Sequence, residues 1–175
     1  MAKPVNMKFL AIFFTILGCM QASAQVTEFK KEGILHLRIH NGMVTNFAEA
    51  PDLYVGGMQL AWQYGVVPGR IRLGATGGVF YTSKQVQALA GPTASLLLKS
   101  FKAGDFGTAG NLHLSLEHLW GSEKQKLVGG GLHADVLNKL VLGLTTHYDY
   151  EWENWWIQTV IAIKLGKVKK PEREF

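Results

Sequence analysis

The segment NLHLSLEHLWG, residues 111–121, decides the fold, because apolar and polar side chains alternate along it. Leu112, Leu114 and Leu116 occupy every second position, and asparagine, histidine, serine and glutamate fill the positions between and beside them. This period of two is typical of a β-strand, in which successive side chains point to opposite faces. The segment is therefore predicted to be a strand with one apolar face and one polar face.

The same alternation recurs along the rest of the chain, with turn residues between the runs. It predicts eight strands, at residues 33–40, 53–65, 70–81, 89–101, 109–120, 126–137, 140–150 and 155–166. Consecutive strands with short connections form antiparallel hairpins, and eight of them with no segment left to cover an edge favour closure. We predict an all-β, single-domain fold, an eight-stranded antiparallel up-and-down β-barrel.

The first 24 residues have the composition of an export signal rather than of a strand. Lys3 and Lys8 supply a positive start, the apolar run at residues 9–20 is too short to span a bilayer, and ASA at residues 22–24 is a cleavage site of small residues. We predict a cleaved signal peptide at residues 1–24 and a β-barrel domain at residues 25–175.

The single cysteine of the chain, Cys19, lies within this export signal. The sequence ILGC at residues 16–19 also has some likeness to a lipoprotein processing site, although Leu17 is bulky for such a site. Removing 24 of the 175 residues leaves 151 without cysteine, which excludes disulfides and thiol chemistry. The shortened chain has 16 Lys and Arg against 13 Asp and Glu, a surplus too small to predict nucleic-acid binding.

The polar faces of the predicted strands also carry many glycines, among them Gly57, Gly78 and Gly129. Glycine weakens a strand unless close packing requires it, so these faces are predicted to line the confined interior of the barrel. The predicted polar network of the lumen consists of His36, Arg38, His40, Arg70, Arg72, His113, Glu117, His133, Asp135, His147, Asp149 and Lys164. The apolar faces would then point outward to lipid, which predicts a transmembrane barrel with a plugged polar lumen.

Aromatic residues cluster at the ends of the predicted strands. The predicted girdles consist of Tyr54, Tyr81, Trp120, Tyr148, Tyr150, Trp152 and Trp155 at one end and Trp62 and Tyr64 at the other. Two aromatic belts are typical of a barrel that crosses a bilayer, because amphipathic rings favour both interfaces. A soluble, lipocalin-like periplasmic barrel that binds an apolar ligand is an alternative interpretation.

The export signal, the eight alternating segments, the aromatic ends and strands such as GPTASLLLKSF at residues 91–101 resemble one family. It is that of the small eight-stranded outer-membrane β-barrels of Gram-negative bacteria, which includes the OmpA membrane domain and OmpX. The resemblance covers about Gly33 to Lys167 and rests on pattern, without an invariant motif. Members usually end in a strand with a terminal aromatic residue, whereas Phe175 lies ten residues beyond Leu165. The resemblance implies the cell outer membrane, its lipids and lipopolysaccharide as partners, no nucleic acid, and a structural or loop-mediated interaction role.

One segment suggests chemistry, because His113-Leu114-Ser115 resembles the His-x-Ser pair of a lipid A deacylase family. The resemblance implies His113 as general base, Ser115 as nucleophile and a carboxylate to orient the imidazole, for which Asp135 is the only acid on the following strand. The family's asparagine after the serine is Leu116 here, and the alternation places the pair in the lumen, away from lipid. A lipid-modifying hydrolase that uses His113 and Ser115 is therefore kept as an alternative to a non-enzymatic role.

Some of the predicted lumen side chains are of types that bind metal ions. His113, His133 and Glu117 are residue types that bind zinc, and neighbouring strands could bring them together. Neutralisation of the acidic side chains by arginine and lysine within a buried network explains the same residues without a ligand. The sequence therefore predicts no metal and no cofactor.

Overall fold

The computed structural model describes residues 32–47, 53–103, 108–137 and 139–165. The eight strands within these ranges are β1 (Gly33–Thr45), β2 (Leu53–Val67), β3 (Ile71–Thr82), β4 (Gln85–Ala103), β5 (Thr108–Gly121), β6 (Lys126–Leu137), β7 (Leu140–Asp149) and β8 (Asn154–Leu165). The predicted signal peptide lies outside the described residues. Within those ranges, no helix has the length and apolar character needed to cross a membrane.

The eight strands form one closed barrel. Each strand pairs antiparallel with the next in sequence, and β8 pairs with β1 from Leu35 opposite Leu165 to Thr45 opposite Trp155. Closure leaves the sheet without an edge strand, so the backbone groups of every strand have partners on both sides. The prediction of an eight-stranded antiparallel up-and-down barrel is confirmed.

Four strands are longer than the alternation predicted, and the extension is greatest in β1 and β4. The strand β1 continues to Thr45 rather than ending at residue 40, because residues 41–44 pair with both neighbouring strands. The strand β4 begins at Gln85 rather than at residue 89, which reduces the β3–β4 connection to Ser83 and Lys84. These two residues have φ angles of 50° and 63°, which match the backbone twist of a tight hairpin.

The two ends of the barrel are distinguished by their connections. The loop rim carries the turns at residues 83–84, 122–125 and 150–153, and the terminal rim carries the turn at residues 68–70 together with the start of β1 and the end of β8. Both described chain ends therefore lie at the terminal rim, as an even number of strands requires.

The inward and outward faces have the opposite polarity from those of a typical soluble protein. Most of the buried side chains are polar or charged, whereas large hydrophobic side chains are exposed around the outer wall. Along β5, Ser115 is 0% exposed and Leu116 is 58% exposed. Because soluble proteins bury their large apolar residues preferentially, this distribution needs an apolar environment outside the barrel.

The lumen is polar only in part, which the sequence did not indicate. A layer of apolar side chains closes it near the loop rim, and these are Val44, Val55, Phe80, Leu89, Leu119, Leu127 and Trp156. The rings of Phe80 and Trp156 meet edge to face with their centroids 6.1 Å apart. Apart from Asp149, the predicted polar side chains of the lumen lie beneath this layer, together with a smaller apolar cluster of Val141, Val160 and Ala162.

Candidate functional site

The centre of the lumen holds an ion pair between Arg38 on β1 and Glu117 on β5. The Arg38 guanidinium donates to Glu117 Oε1 and, at 3.4 Å, to Gln59 Oε1. The Thr93 hydroxyl donates to the same carboxylate oxygen at 3.2 Å, and His147 Nε2 lies 3.5 Å from the other oxygen. The charged side chains are 3% and 1% exposed. Because water is excluded, each ion depends on its partner and on these neutral groups for compensation.

His40 connects this ion pair to the apolar layer above it. Its ring nitrogens lie 3.2 Å from Gln158 Oε1 and 3.1 Å from Gln59 Oε1. A glutamine amide can present either its oxygen or its NH₂ group, so both ring nitrogens have suitable partners. The His40 ring also meets Phe80 edge on, with a centroid distance of 5.2 Å. The polar and apolar parts of the lumen are therefore packed as one body.

A second charged group lies nearer the terminal rim. Asp135 Oδ2 forms an ion pair with Lys164 Nζ at 2.7 Å and accepts a hydrogen bond from Asn111 Nδ2 at 3.1 Å. The Ser100 hydroxyl donates to Asn111 Oδ1 at 2.8 Å, which extends the group to β4. This group joins residues of β4, β5, β6 and β8, so it connects the barrel across its width.

The pair proposed for catalysis does not form as the sequence suggested. Ser115 Oγ lies 2.8 Å from Nε2 of His133 on β6, and His113 stacks on the His133 ring with centroids 5.3 Å apart. The register explains this, since Ser115 pairs with Gly131 and His113 pairs with His133, while residues two apart on one strand are about 6.5–7 Å apart at Cα. The prediction of His113 as the partner of Ser115 is therefore corrected to His133.

Two further requirements of a hydrolase are not met by the described residues. The hydrogen bonds of Asp135 go to Lys164 and Asn111, so this carboxylate does not orient either histidine. Ser115 is buried on the inner face of the barrel. Among the described residues, Ser115 and His133 therefore lack a carboxylate placed to complete a catalytic triad.

Space for the His133 ring is provided by Gly143 on β7. A Cβ atom at Gly143 would lie 2.3 Å from His133 Nδ1, so any larger residue would displace the ring. The same relation holds at Gly57, where a Cβ atom would lie 2.4 Å from Phe80 Cδ1. These glycines are on the inner face because large neighbours leave no room for a side chain.

The positions of three further predicted lumen residues show that two lie inside the barrel and one does not. The structure places His36 and Arg72 inside the barrel, each at most 3% exposed. Arg70 is exposed in the turn before β3, because that strand begins at Ile71 and not at residue 70. Arg70 is therefore corrected from a lumen residue to a residue of the terminal rim.

Asp149 is buried but does not join the central network. Its Oδ1 atom accepts hydrogen bonds from the backbone N–H groups of Lys126, Glu151 and Trp152 at 3.1–3.3 Å. These contacts are at the loop rim, above the apolar layer. Asp149 therefore holds the β7–β8 turn in place.

The predicted aromatic residues face outward near both ends of the wall. The loop rim carries Tyr54, Tyr81, Trp120, Tyr148, Tyr150, Trp152 and Trp155, and Trp62 and Tyr64 lie toward the terminal rim. The rings of Tyr148 and Trp155 are 5.0 Å apart, so neighbouring strands contribute to a continuous belt.

His118 is an outward-facing polar residue that the sequence analysis did not select. It lies on the apolar side of β5, 3.1 Å from the Tyr150 hydroxyl and with its ring centroid 4.5 Å from that of Trp120. The signal was present in the sequence, because position 118 has the same parity as the leucines at 112, 114 and 116. A histidine on the apolar face marks a place where the wall is locally polar.

Over the part of the chain that the structure describes, no group of three or more His, Cys, Asp or Glu residues is arranged to hold a metal ion. His113 and His133 stack face to face, and Glu117 is engaged by Arg38. The nitrogen and oxygen atoms of these residues therefore serve as partners for other side chains.

The chain matches no protein-family model, and it matches no curated protein. A solved structure described as "De novo design of transmembrane beta-barrels" is similar over 78% of this chain and 98% of that chain, with 15% sequence identity and a TM-score of 0.49. The closed barrel described above follows from the strand pairing of this chain itself.

Proposed function

We propose that the protein is a β-barrel of the cell outer membrane with a structural or loop-mediated interaction role. The observation that carries this proposal is the inverted polarity of the barrel, with charged side chains inside and large hydrophobic side chains outside. In hydrocarbon, every backbone polar group needs a partner within the protein, and a closed ladder of strands supplies one. The outer wall and the backbone are therefore both suited to lipid.

The dimensions of the strands support a membrane crossing. The strands contain from 10 to 19 residues, and a tilted crossing needs about 9–11. Outward aromatic side chains such as Trp120 and Trp62 lie toward opposite ends of these strands, where interfacial rings are favoured. The export signal predicted at residues 1–24 would deliver such a chain across the inner membrane.

The filled lumen favours a function carried out by the outer wall and the rims over conduction through a channel. The apolar layer around Phe80 and Trp156 and the ion pair of Arg38 and Glu117 occupy successive levels of the interior. A barrel of eight strands has room for side chains and little else. The partners that fit this arrangement are outer-membrane lipids, lipopolysaccharide and a protein that contacts the loops, and no feature calls for nucleic acid.

Fractionation and gel mobility test the proposal together. The full chain is expressed in a Gram-negative host, and the inner membrane, outer membrane and periplasm are separated. We expect the protein in the outer-membrane fraction, with a faster mobility in unheated detergent gels than after boiling. A protein recovered from the soluble periplasm with the same mobility in both samples would refute the proposal and favour a soluble barrel.

A further inference from the structure

Two apolar grooves lie side by side on the outer wall, separated by a ridge formed by Leu116 and Val128. The first groove extends toward β7 and β8, has a volume of about 730 Å³ and is bordered by Leu132 among others. The second extends toward β3 and β4, has a volume of about 550 Å³ and is bordered by Leu73 and Ala94. The ridge residues line both grooves, so the two belong to one surface.

The first groove exists because Gly130 has no side chain. The register places Gly130 between Leu116 on β5 and Thr146 on β7. A Cβ atom at Gly130 would lie 1.9 Å from the carbonyl oxygen of Ser115, so a larger residue would force the two strands apart. The backbone of β6 is therefore the floor of the groove.

A polar cluster lies above the ridge, toward the loop rim. We name it the head cluster, and it consists of His118, Trp120, Lys126, Tyr150 and Glu151. His118 pairs with Val128 of the ridge, and Trp120 pairs with Lys126. Lys126 Nζ lies 3.0 Å from Glu151 Oε2, and these two side chains are 43% and 42% exposed. An ion pair with this exposure can exchange its partners with those of a ligand.

The spacing of the head cluster and the ridge suits an amphiphile. Lys126 and Val128 are two residues apart on β6, which corresponds to about 6.5–7 Å along the strand. One positive and one negative charge therefore lie directly above two apolar grooves. Lys126 Nζ is also 5.9 Å from the centroid of the Tyr150 ring, so this ring already faces a cation.

We propose that this face of the barrel binds a two-chain phospholipid with a phosphoethanolamine headgroup. The phosphate pairs with Lys126, the ammonium pairs with Glu151, and the two acyl chains lie on either side of the ridge. The proposal rests on the proposed function, because the grooves meet lipid only if the barrel is in a bilayer.

The charges of the head cluster favour this headgroup over others. A headgroup with a phosphate and no ammonium pairs with Lys126 and leaves the Glu151 carboxylate unpaired. A choline group is positively charged but has no N–H group to donate to that carboxylate. In a leaflet rich in lipopolysaccharide, the site would therefore retain a phospholipid selectively, because unmodified lipid A carries phosphates without an ammonium.

Native mass spectrometry of the purified full chain tests this selectivity. The protein in detergent is mixed with equal amounts of phosphatidylethanolamine, phosphatidylglycerol and phosphatidylcholine with identical acyl chains, and lipid A is added in a second mixture. We expect up to about fivefold more bound phosphatidylethanolamine than any competitor, the upper end for one ion pair between exposed groups.

Three variants separate the headgroup from the acyl chains. Lys126→Gln should lower phosphatidylethanolamine retention up to about fivefold, and Glu151→Gln should remove its advantage over phosphatidylglycerol. Thr146→Trp fills the first groove and should reduce the retention of every diacyl lipid. Lys84→Gln, with the same charge change on the loop rim, and Thr159→Trp, an outward position on β8, are the matched controls and should bind like the natural chain.

Each result decides the proposal. Equal retention of the lipids by the natural chain, a preference for another headgroup, or unchanged retention in folded Lys126→Gln and Thr146→Trp proteins would overturn it. Folding is monitored for each variant by its heat-dependent gel mobility. A protein that inserts into vesicles but shows no lipid preference refutes the lipid site alone, whereas a protein that does not insert refutes the membrane barrel.

Discussion

The substitution Glu117→Gln is the sharpest test of how the lumen is stabilised. The glutamine keeps the size of the side chain, and its amide oxygen can still accept from Arg38 and from Thr93, which now lies 3.2 Å from the carboxylate. The variant therefore removes a charge while most of the hydrogen-bond geometry remains. What it leaves behind is an arginine that is 3% exposed and has lost its counter-ion.

The expected loss follows from that unpaired cation. Removing one partner of a buried ion pair typically costs about 3–5 kcal/mol, and because the amide oxygen still accepts, we expect the lower end, about 3 kcal/mol. A stability of about 5–15 kcal/mol is usual for a domain, so the variant should still fold. Adding Arg38→Met removes the stranded charge, and the double variant should recover about 2 kcal/mol relative to Glu117→Gln alone.

The assay is urea unfolding in phospholipid vesicles, followed by tryptophan fluorescence. The emission of the five tryptophans reports unfolding, and Trp156, which is 2% exposed and packs against Phe80, contributes the part that is sensitive to the opening of the lumen. Glu123→Gln is the control, since it removes the same charge from an exposed turn residue outside the head cluster and should leave the unfolding midpoint unchanged. If Glu117→Gln and Glu123→Gln have the same effect, or if the double variant loses the sum of the losses of Glu117→Gln and Arg38→Met, the lumen is not stabilised by this ion pair.

Three further predictions concern the wall, the packing of the lumen and its chemistry. Leu132→Arg places a charge on the lipid-facing wall and should cost about 2–4 kcal/mol of folding free energy in vesicles, whereas Val86→Arg at the loop rim should cost about 0–1, and equal costs would contradict the membrane orientation. Gly143→Ala forces a Cβ atom to within 2.3 Å of the neighbouring histidine ring and should cost about 1–3 kcal/mol by urea unfolding, while Gly77→Ala meets nothing closer than 3.5 Å and should have little effect. Ser115→Ala should leave the lipid A acyl chains of the expressing strain unchanged by mass spectrometry, and a change in acylation that depends on this serine would restore the hydrolase.

The fold could be predicted from the sequence because alternation is a local signal. In residues 111–121, the alternation alone tells which side chains point into the barrel and which point outward, and the same holds for most of the other strands. The turn at Ser83 and Lys84 could not be predicted, because hairpins of this type usually contain Asn or Gly and these residues resemble an ordinary polar loop. The sequence therefore predicts a longer connection between β3 and β4 than the structure has.

The sequence predicts which residues face the lumen, but it does not predict which of them contact one another. Which inward side chains meet depends on the register between strands, and the register is a property of pairs of strands that one-dimensional alternation does not contain. This is why Ser115 was assigned to His113 on its own strand and lies against His133 on the next. The inward direction of Trp156 needs no register, because its position between the outward Trp155 and Ile157 already places it inside, but its packing against Phe80 on a distant strand is not contained in the alternation.

The apolar layer and the central ion pair have a combined consequence for function. Phe80 and Trp156 separate the buried charges from the loop rim, and a dry environment strengthens the attraction between Arg38 and Glu117 while it raises the cost of separating them. Opening a path along the barrel axis would require both the apolar layer to move and the ion pair to part. Because each step is costly, the interior favours the proposed role, in which the loops and the outer wall recognise other molecules. The ion pair of the head cluster is exposed and is not covered by an apolar layer, so a charged ligand would be recognised on the wall rather than in the interior.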